Sequence, residues 1–467
     1  MNNRLVGSVR EADPVQNDSA KFTSGSTMQH VVVMSITSAA GALAVFLVDA
    51  LSLFYISMLE IEEFTAAVGF ASAVQFFATS LSIGLSVATT AMVSQALGRG
   101  SRKEAAEAGG VSMTLSVLPA ILITILSLLN LENILTLLGA SGNTSRFAGD
   151  FLRITLASTP ITVLGMCATG IIRAAGDVRR ATKAKIWSCL IAAVVDPLMI
   201  FGMNYGLEGA AIATVISRAA LLLLAAHGAI WVHKLVAPPS FEMSVRLLRQ
   251  FLGVSVPASV AQLATPISSA YMTHTMARFG DGAVAGWAII GRLIPIAFGA
   301  LFAIGGAVSP IVGQNYGAQR GDRIRSTVWN ALSLSASYVA LVWLIIALCA
   351  EQLSAFFSAE GTARELVIFY CRFAAVFFFF NGALFITTAA FSSMKRAGMA
   401  MLFSWLASTV GVIVPVTLGA HRYDAEGAIL GWAVGSALSG IAAIYALQRL
   451  IKVEYPSAGA QDSWGDQ

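Results

Sequence analysis

Apolar stretches long enough to cross a bilayer as helices, roughly 18 residues or more, recur along the whole chain between short polar connectors. The pattern predicts twelve helices, at residues 30–56, 65–97, 108–129, 148–172, 186–203, 208–231, 250–276, 284–316, 327–349, 366–392, 399–420 and 427–447. The second and eighth exceed what a perpendicular span needs, so they tilt, bend or run past the membrane surface. Pro295 and Pro310 place a bend in the eighth. The alternating strands of a membrane barrel, about ten residues each, are absent.

The connectors alternate in charge. Arg99, Arg102 and Lys103 follow the second helix, and Arg173, Arg179, Arg180, Lys183 and Lys185 follow the fourth. Lys234, Arg246, Arg249, Arg320, Arg323, Arg325, Lys395 and Arg396 continue the set, while the intervening connectors carry Glu60, Glu62, Glu63, Glu132, Glu351 and Glu360. The positive-inside rule puts the basic set, and with it both termini, in the cytoplasm of a multi-pass membrane protein. Residues 1–28 and 451–467 read as polar cytoplasmic tails; Arg4 and Arg10 are not followed by the apolar core and cleavage site of a signal peptide.

The chain repeats itself. SQALGRG (94–100) and GQNYGAQ (313–319) each end a long helix, with Gln95 and Gly98 matching Gln314 and Gly317 at a separation of 219. Arg153 and Arg372 match at the same separation, and Pro197 and Pro415 at 218. The fold class is therefore an all-α membrane protein of two six-helix lobes, residues 29–231 and 250–450, joined by a cytoplasmic linker at 232–249. An even number of helices per repeat gives both halves the same orientation, so their pseudo-twofold axis runs along the membrane normal with a cavity between them.

Composition narrows the function. Hydrophobic residues make up 57% and charged residues 12%, against roughly 25% charged in soluble domains. The net charge of +4 is modest and forms no basic stripe with interleaved aromatics, which excludes nucleic-acid binding. Cys167, Cys189, Cys349 and Cys371 have no metal spacing and read as packing residues. No phosphate-binding loop, catalytic triad or metalloprotease motif is present, so the chain is read as a transporter with no cofactor or resident metal, driven by an ion gradient.

Asp49 and Asp196 are the two clear carboxylates inside the predicted helices. Each costs about 2.5–3.5 kcal/mol on insertion scales, so intramembrane acids mark ion pathways by default. Counting at 1.5 Å per residue, both lie roughly 12 Å from the outer end of their helices, and Thr214 about 9 Å. The three oxygen-bearing side chains share one level of the N-terminal half, where they could load and empty a proton or hold Na⁺. Pro197 gives the helix a place to bend beside Asp196. Arg292, in the outer half of the eighth helix, and aromatic residues of the second half, Tyr271 among them, are candidates for the cavity wall. Arg218 lies deeper and is expected to snorkel or pair structurally.

VDALSLFYIS with Asp49, SQALGRG, IIRAAGDVRRAT, VDPLMIFG, GWAIIGRL and PIVGQNYGAQRGD, in this order, resemble the multidrug and toxic compound extrusion (MATE) family over about residues 28–450. The resemblance implies an antiporter of the bacterial inner membrane, moving a small organic substrate, amphipathic or cationic, across the lipid bilayer against H⁺ or Na⁺ by alternating access; a monomer is the expected state. The acids are similar to those of the branch named for the DNA-damage-inducible protein F, which implies coupling through Asp49, Asp196 and Thr214. One turn before Asp196 that branch often has Asn, whereas this chain has Ala192, which favours H⁺. The norfloxacin-exporter branch keeps acids in the second lobe; the matching positions here are Asn381 and Gln262, which become cavity candidates rather than ion sites. A Na⁺-coupled exporter and a lipid-linked sugar flippase of the same superfamily are the alternatives.

Overall fold

Twelve membrane-length helices account for most of residues 20–456, the part of the chain described by the computed structural model. They are α1 (Thr27–Ser57), α2 (Glu62–Gly98), α3 (Arg102–Leu129), α4 (Gly142–Ala157 and Thr159–Ala174), α5 (Val178–Gly202) and α6 (Gly206–Val232). The second six are α7 (Phe241–Ala277), α8 (Asp281–Phe298 and Ala300–Gly317), α9 (Gly321–Leu348), α10 (Gly361–Ser393), and α11 and α12 within Ala397–Glu454. The last pair is one apolar run that folds back at Tyr423–Asp424, where Asp424 takes φ 50°. Gly411, Pro415 and Gly419 then face Gly435, Gly431 and Gly427 so closely that a Cβ on any of these glycines would strike the opposing helix. Small residues every fourth position let two helices touch where lipid offers no hydrophobic drive. Large apolar side chains such as Leu118, Leu223, Leu341 and Leu438 stay exposed on the flanks, as a lipid-facing surface requires.

Several spans are broken. Two pieces of α4 meet at Ser158 with a bend of 46°, α7 breaks after Gln262, and α8 breaks at Gly299, one turn beyond Pro295. Pro310, expected to add a bend, sits inside an unbroken helix. After Pro197, α5 finishes in a π-turn, Leu198–Gly202.

Two boundaries differ from the sequence pattern. The linker is shorter than 232–249, because α7 begins at Phe241, capped by the Ser240 hydroxyl accepting from the Met243 amide. A polar run with a good N-cap and an acid in the first turn is helix, not linker. The connection left before it lies along α3, where Ala237 N donates to Ala106 O (2.9 Å) and Gly109 and Gly110 leave room for its carbonyls. The predicted N-terminal tail falls partly outside the described residues, but residues 20–26 are a strap rather than a tail. Phe22 is 1% exposed, its amide donates to Gln314 Oε1 (2.8 Å) and its carbonyl accepts from Asn315 and Arg323.

Helices α1–α6 form one lobe and α7–α12 the other. The lobes meet through the first half of α7 and the second half of α8, which pack on α2 and α1. These halves adjoin the face where both described ends of the chain lie, here called the terminal face. The remaining halves of α7 and α8 pack chiefly within their own lobe, so the cleft closes at the terminal face and widens towards the opposite one.

Candidate functional site

In the N-terminal lobe, α1 and α5 pack side by side and bring Asp49 and Asp196 together. Asp196 is 2% exposed, and the Ser52 hydroxyl of α1 lies beside it. Asp49, one turn earlier on α1, is exposed and sits within the electrostatic reach of Asp196 and Arg218. Thr214 does not join the acids by a hydrogen bond; its hydroxyl donates to Ala210 O of its own helix (2.9 Å).

Arg218 is neither snorkelling nor in a short ion pair. Its Nη1 donates to Thr155 O and Ser158 Oγ, and its Nη2 to Gln75 Oε1, each at 2.7 Å. At the bend of α4 the Thr155 carbonyl also accepts from the Ser158 hydroxyl (2.7 Å), so the guanidinium and Ser158 share it. The charge thus performs structural work while standing near Asp49.

Between the lobes lies a cavity of about 320 Å³. Its walls follow the repeat. Ile83 and Phe302, Thr90 and Ser309, and Met166 and Phe385 are pairs at the same separation as Gln95 and Gln314, and all six line it. Phe302 and Phe385 stack at 4.5 Å between centroids. Gln262, at the break of α7, lines it as expected. Tyr271 is tied within its own lobe, its hydroxyl 2.6 Å from Thr417 Oγ1. Asn381 keeps a buried Nδ2 with no partner but lies outside this cavity, and Arg292 is exposed with no ion pair among the described residues.

Sequence reasoning missed Arg173 and Lys185, assigned to a cytoplasmic connector; both line the cavity. The available signal was their place in the helices themselves, Arg173 in the last turn of α4 and Lys185 about two turns into α5.

Below the cavity, the terminal face is sealed by the repeated motif. Gln95 Nε2 donates to Ser393 O (2.8 Å) and Gln314 Nε2 to Ala174 O (2.7 Å), each crossing to the other lobe.

The MatE family profile matches the chain twice, over residues 38–198 and 257–417. The chain belongs to the MatE family. The two matched segments are offset from each other by the same separation that relates Gln95 to Gln314, so the repeat is a repeat of the family unit. This MatE chain is 24% identical over 89% of its length to the "FAD transporter" of Shewanella oneidensis, of which it covers 93%. It is 20% identical over 93% of its length to the "Multidrug export protein MepA" of Staphylococcus aureus, covering 97% of that protein. Among solved structures, an outward-facing multidrug resistance MATE family transporter superposes with a TM-score of 0.88 at 21% identity, over 96% of this chain and 100% of that one. The Vibrio cholerae MATE transporter VcmN in its bent form gives 0.86 at 24% identity, over 94% and 99%. Membership makes the protein a membrane transporter rather than an enzyme.

Proposed function

We propose that this MatE protein is a proton-coupled exporter of organic compounds, and that Asp49 and Asp196 are its coupling groups. The observation that carries the reading is the pairing of the two carboxylates on neighbouring helices of one lobe, Asp49 exposed and Asp196 buried beside Ser52, in a protein whose lobes are sealed against each other at the terminal face. Protons entering from the open side neutralise the pair. A neutral pair repels less and gains hydrogen-bond donors, so α1 repacks against α5 and the substrate is released. The π-turn after Pro197 gives α5 a point at which to yield. Substrate and proton then alternate, and the lobes rock about the cleft as a pair of rigid repeats.

The membrane potential contributes about 2.3 kcal/mol per charge per 100 mV. One proton therefore supports a substrate gradient of very roughly fiftyfold at 100 mV. The substrate class is organic and of ring-bearing size, a reading supported by the stacked phenylalanines of the cavity and by relatives named for multidrug export and for FAD. Basic residues gathered at the terminal face, Arg99, Lys103, Arg179, Arg320 and Lys395 among them, support a cytoplasmic location for both ends. One chain encloses the whole cleft, so the monomer suffices.

A second reading, coupling to Na⁺, draws on the same oxygens of Asp49, Asp196 and Ser52. Dye efflux from everted vesicles separates the two: export that stops with a protonophore and proceeds without Na⁺ supports the first, and export that follows the Na⁺ gradient supports the second.

A further inference from the structure

We propose that the floor of the inter-lobe cavity is an anion site, in which Arg173 and Lys185 hold a phosphate, sulfonate or carboxylate at one end of an aromatic substrate. Both side chains line the cavity, and no carboxylate does so among the described residues. Neither is in an ion pair or hydrogen bond among the described residues, and Arg173 keeps a buried Nε with no partner. Arg173 crosses towards the other lobe, where Gly306 leaves it space: a Cβ there would lie 3.6 Å from its Nη1.

An arginine that marks a helix end ordinarily extends to the aqueous face and stays hydrated. These two cations do the reverse. Bringing two like charges into one low-dielectric chamber is costly unless an opposite charge joins them. The fold does not impose that cost. At the repeat offset of 219, Arg173 corresponds to Ser392 and Lys185 to Ser404, and both serines line the same cavity. One copy thus meets the same wall with hydroxyls, while the other carries cations. An arginine fork and a lysine point charge are the residue types that hold phosphate and carboxylate oxygens. Thr90, Thr169 and Gln262 add neutral polar groups around them, and Phe302 and Phe385 present an apolar wall to a ring. The arrangement departs from a site for cationic compounds, which would need acids where these cations stand.

The proposal deepens the exporter reading and rests on it only for how the ligand reaches and leaves the cavity. The test compares a matched pair of probes, flavin mononucleotide and riboflavin, which share a ring and differ by a phosphate. Fluorescein serves as a second anion and ethidium as the cation. Binding is measured by fluorescence anisotropy on the full chain in nanodiscs. Flavin mononucleotide is expected to bind about tenfold or more tightly than riboflavin or ethidium, the scale of one or two charge-assisted contacts. Arg173→Gln and Lys185→Gln are each expected to lower its affinity about tenfold while moving riboflavin less than twofold, and Arg173→Lys to retain part of the effect.

Equal affinity for the phosphorylated and unphosphorylated flavins in the unaltered chain overturns the proposal without recourse to any variant. So does tighter binding of ethidium, the absence of binding by both flavin mononucleotide and fluorescein, or a double variant, Arg173→Gln with Lys185→Gln, that binds flavin mononucleotide as before. The two readings fail separately. Phosphate-dependent binding without ion-driven transport leaves the anion site standing and removes the exporter, whereas ion-driven export by a chain that binds flavin mononucleotide and riboflavin equally does the opposite.

Discussion

Gln95 and Gln314, equivalent positions of the two repeats, make the same hydrogen bond in opposite directions across the lobe interface. Gln95 reaches the Ser393 carbonyl at the end of α10 and Gln314 the Ala174 carbonyl at the end of α4, and these two acceptors are themselves equivalent positions at the same offset. Beside them, a Cβ on Gly98 would strike the Gln314 carbonyl and a Cβ on Gly317 the Gln95 carbonyl. The seal is a pseudo-twofold contact between the two copies of one motif.

A side chain at either glycine therefore cannot be accommodated in the sealed state. Gly98→Val or Gly317→Val is expected to shift the cleft towards opening at the terminal face. A cysteine introduced as Thr90→Cys, in the cavity, reports this through its rate of labelling from that face. The rate should rise several-fold in the valine variants; an unchanged rate would show that the seal lies elsewhere.

The strap makes a second prediction. Phe22 is buried between the lobes' ends, Lys21 Nζ donates to Gly176 O (3.1 Å), and Arg323 grips the carbonyls of Phe22, Ser24 and Gly25. One lobe supplies Gly176 and the other Gln314 and Arg323, so the strap ties them together. Phe22→Ala should cost about 3 kcal/mol as a buried aromatic truncation and raise labelling of the same cysteine. Lower thermal stability with unchanged labelling would make the strap a packing element only.

Arg218 supports the bend of α4. Arg218→Ala leaves the Thr155 carbonyl and the Gln75 amide without their charged partner. Breaking such a buried cluster costs roughly 3 kcal/mol, read as a fall in melting temperature of the purified protein. Arg218→Lys should recover only part, because a single ammonium cannot span Thr155, Ser158 and Gln75 together. Full recovery by lysine would contradict the role assigned to the fork.

Much of this was legible in the sequence, and the rest was not for identifiable reasons. The spans follow from apolar length alone, and the repeat from the offset shared by Gln95–Gln314 and Gly98–Gly317. That the repeated glycines and glutamines touch one another was invisible, since a motif's spacing along the chain says nothing about its partner across an axis. The bend expected at Pro295 falls one turn on, at Gly299, while Pro310 is absorbed, and the break at Ser158 had no signal in the apolar pattern. Arg173 and Lys185 were misplaced because the positive-inside rule counts charges near a helix end without knowing which way they point. Asp49 and Asp196 stood out because an acid in an apolar run is visible at any depth, and the structure puts them on neighbouring helices. Thr214 was not distinguishable from an ordinary helix threonine, and in the structure its hydroxyl bonds its own backbone.

Asp177 gives a pH dependence outside the membrane. Burial alone would push its carboxyl up, but hydrogen bonds from the Arg180 amide and guanidinium and from His233, together with the His233 charge, hold it below its ordinary value. It also caps α5 through the Arg180 amide (3.1 Å). A carboxyl with a depressed native value contributes stability that is present above the unfolded value and lost as pH falls through the native one. Asp177→Ala should cost about 1 kcal/mol near neutral pH, and the gap from the unaltered chain should close below roughly pH 4. A gap that widens on acidification would reverse the sign of the argument.

The central claim is that a proton taken up at Asp49 and its partner Asp196 drives export. Its most direct measurement is substrate-induced proton release from proteoliposomes, with and without Na⁺, for the unaltered protein and Asp49→Asn. The account predicts release that needs no Na⁺, appears on adding a transported dye, and vanishes in Asp49→Asn. Proton release that survives in Asp49→Asn, or that appears only with Na⁺, would contradict it.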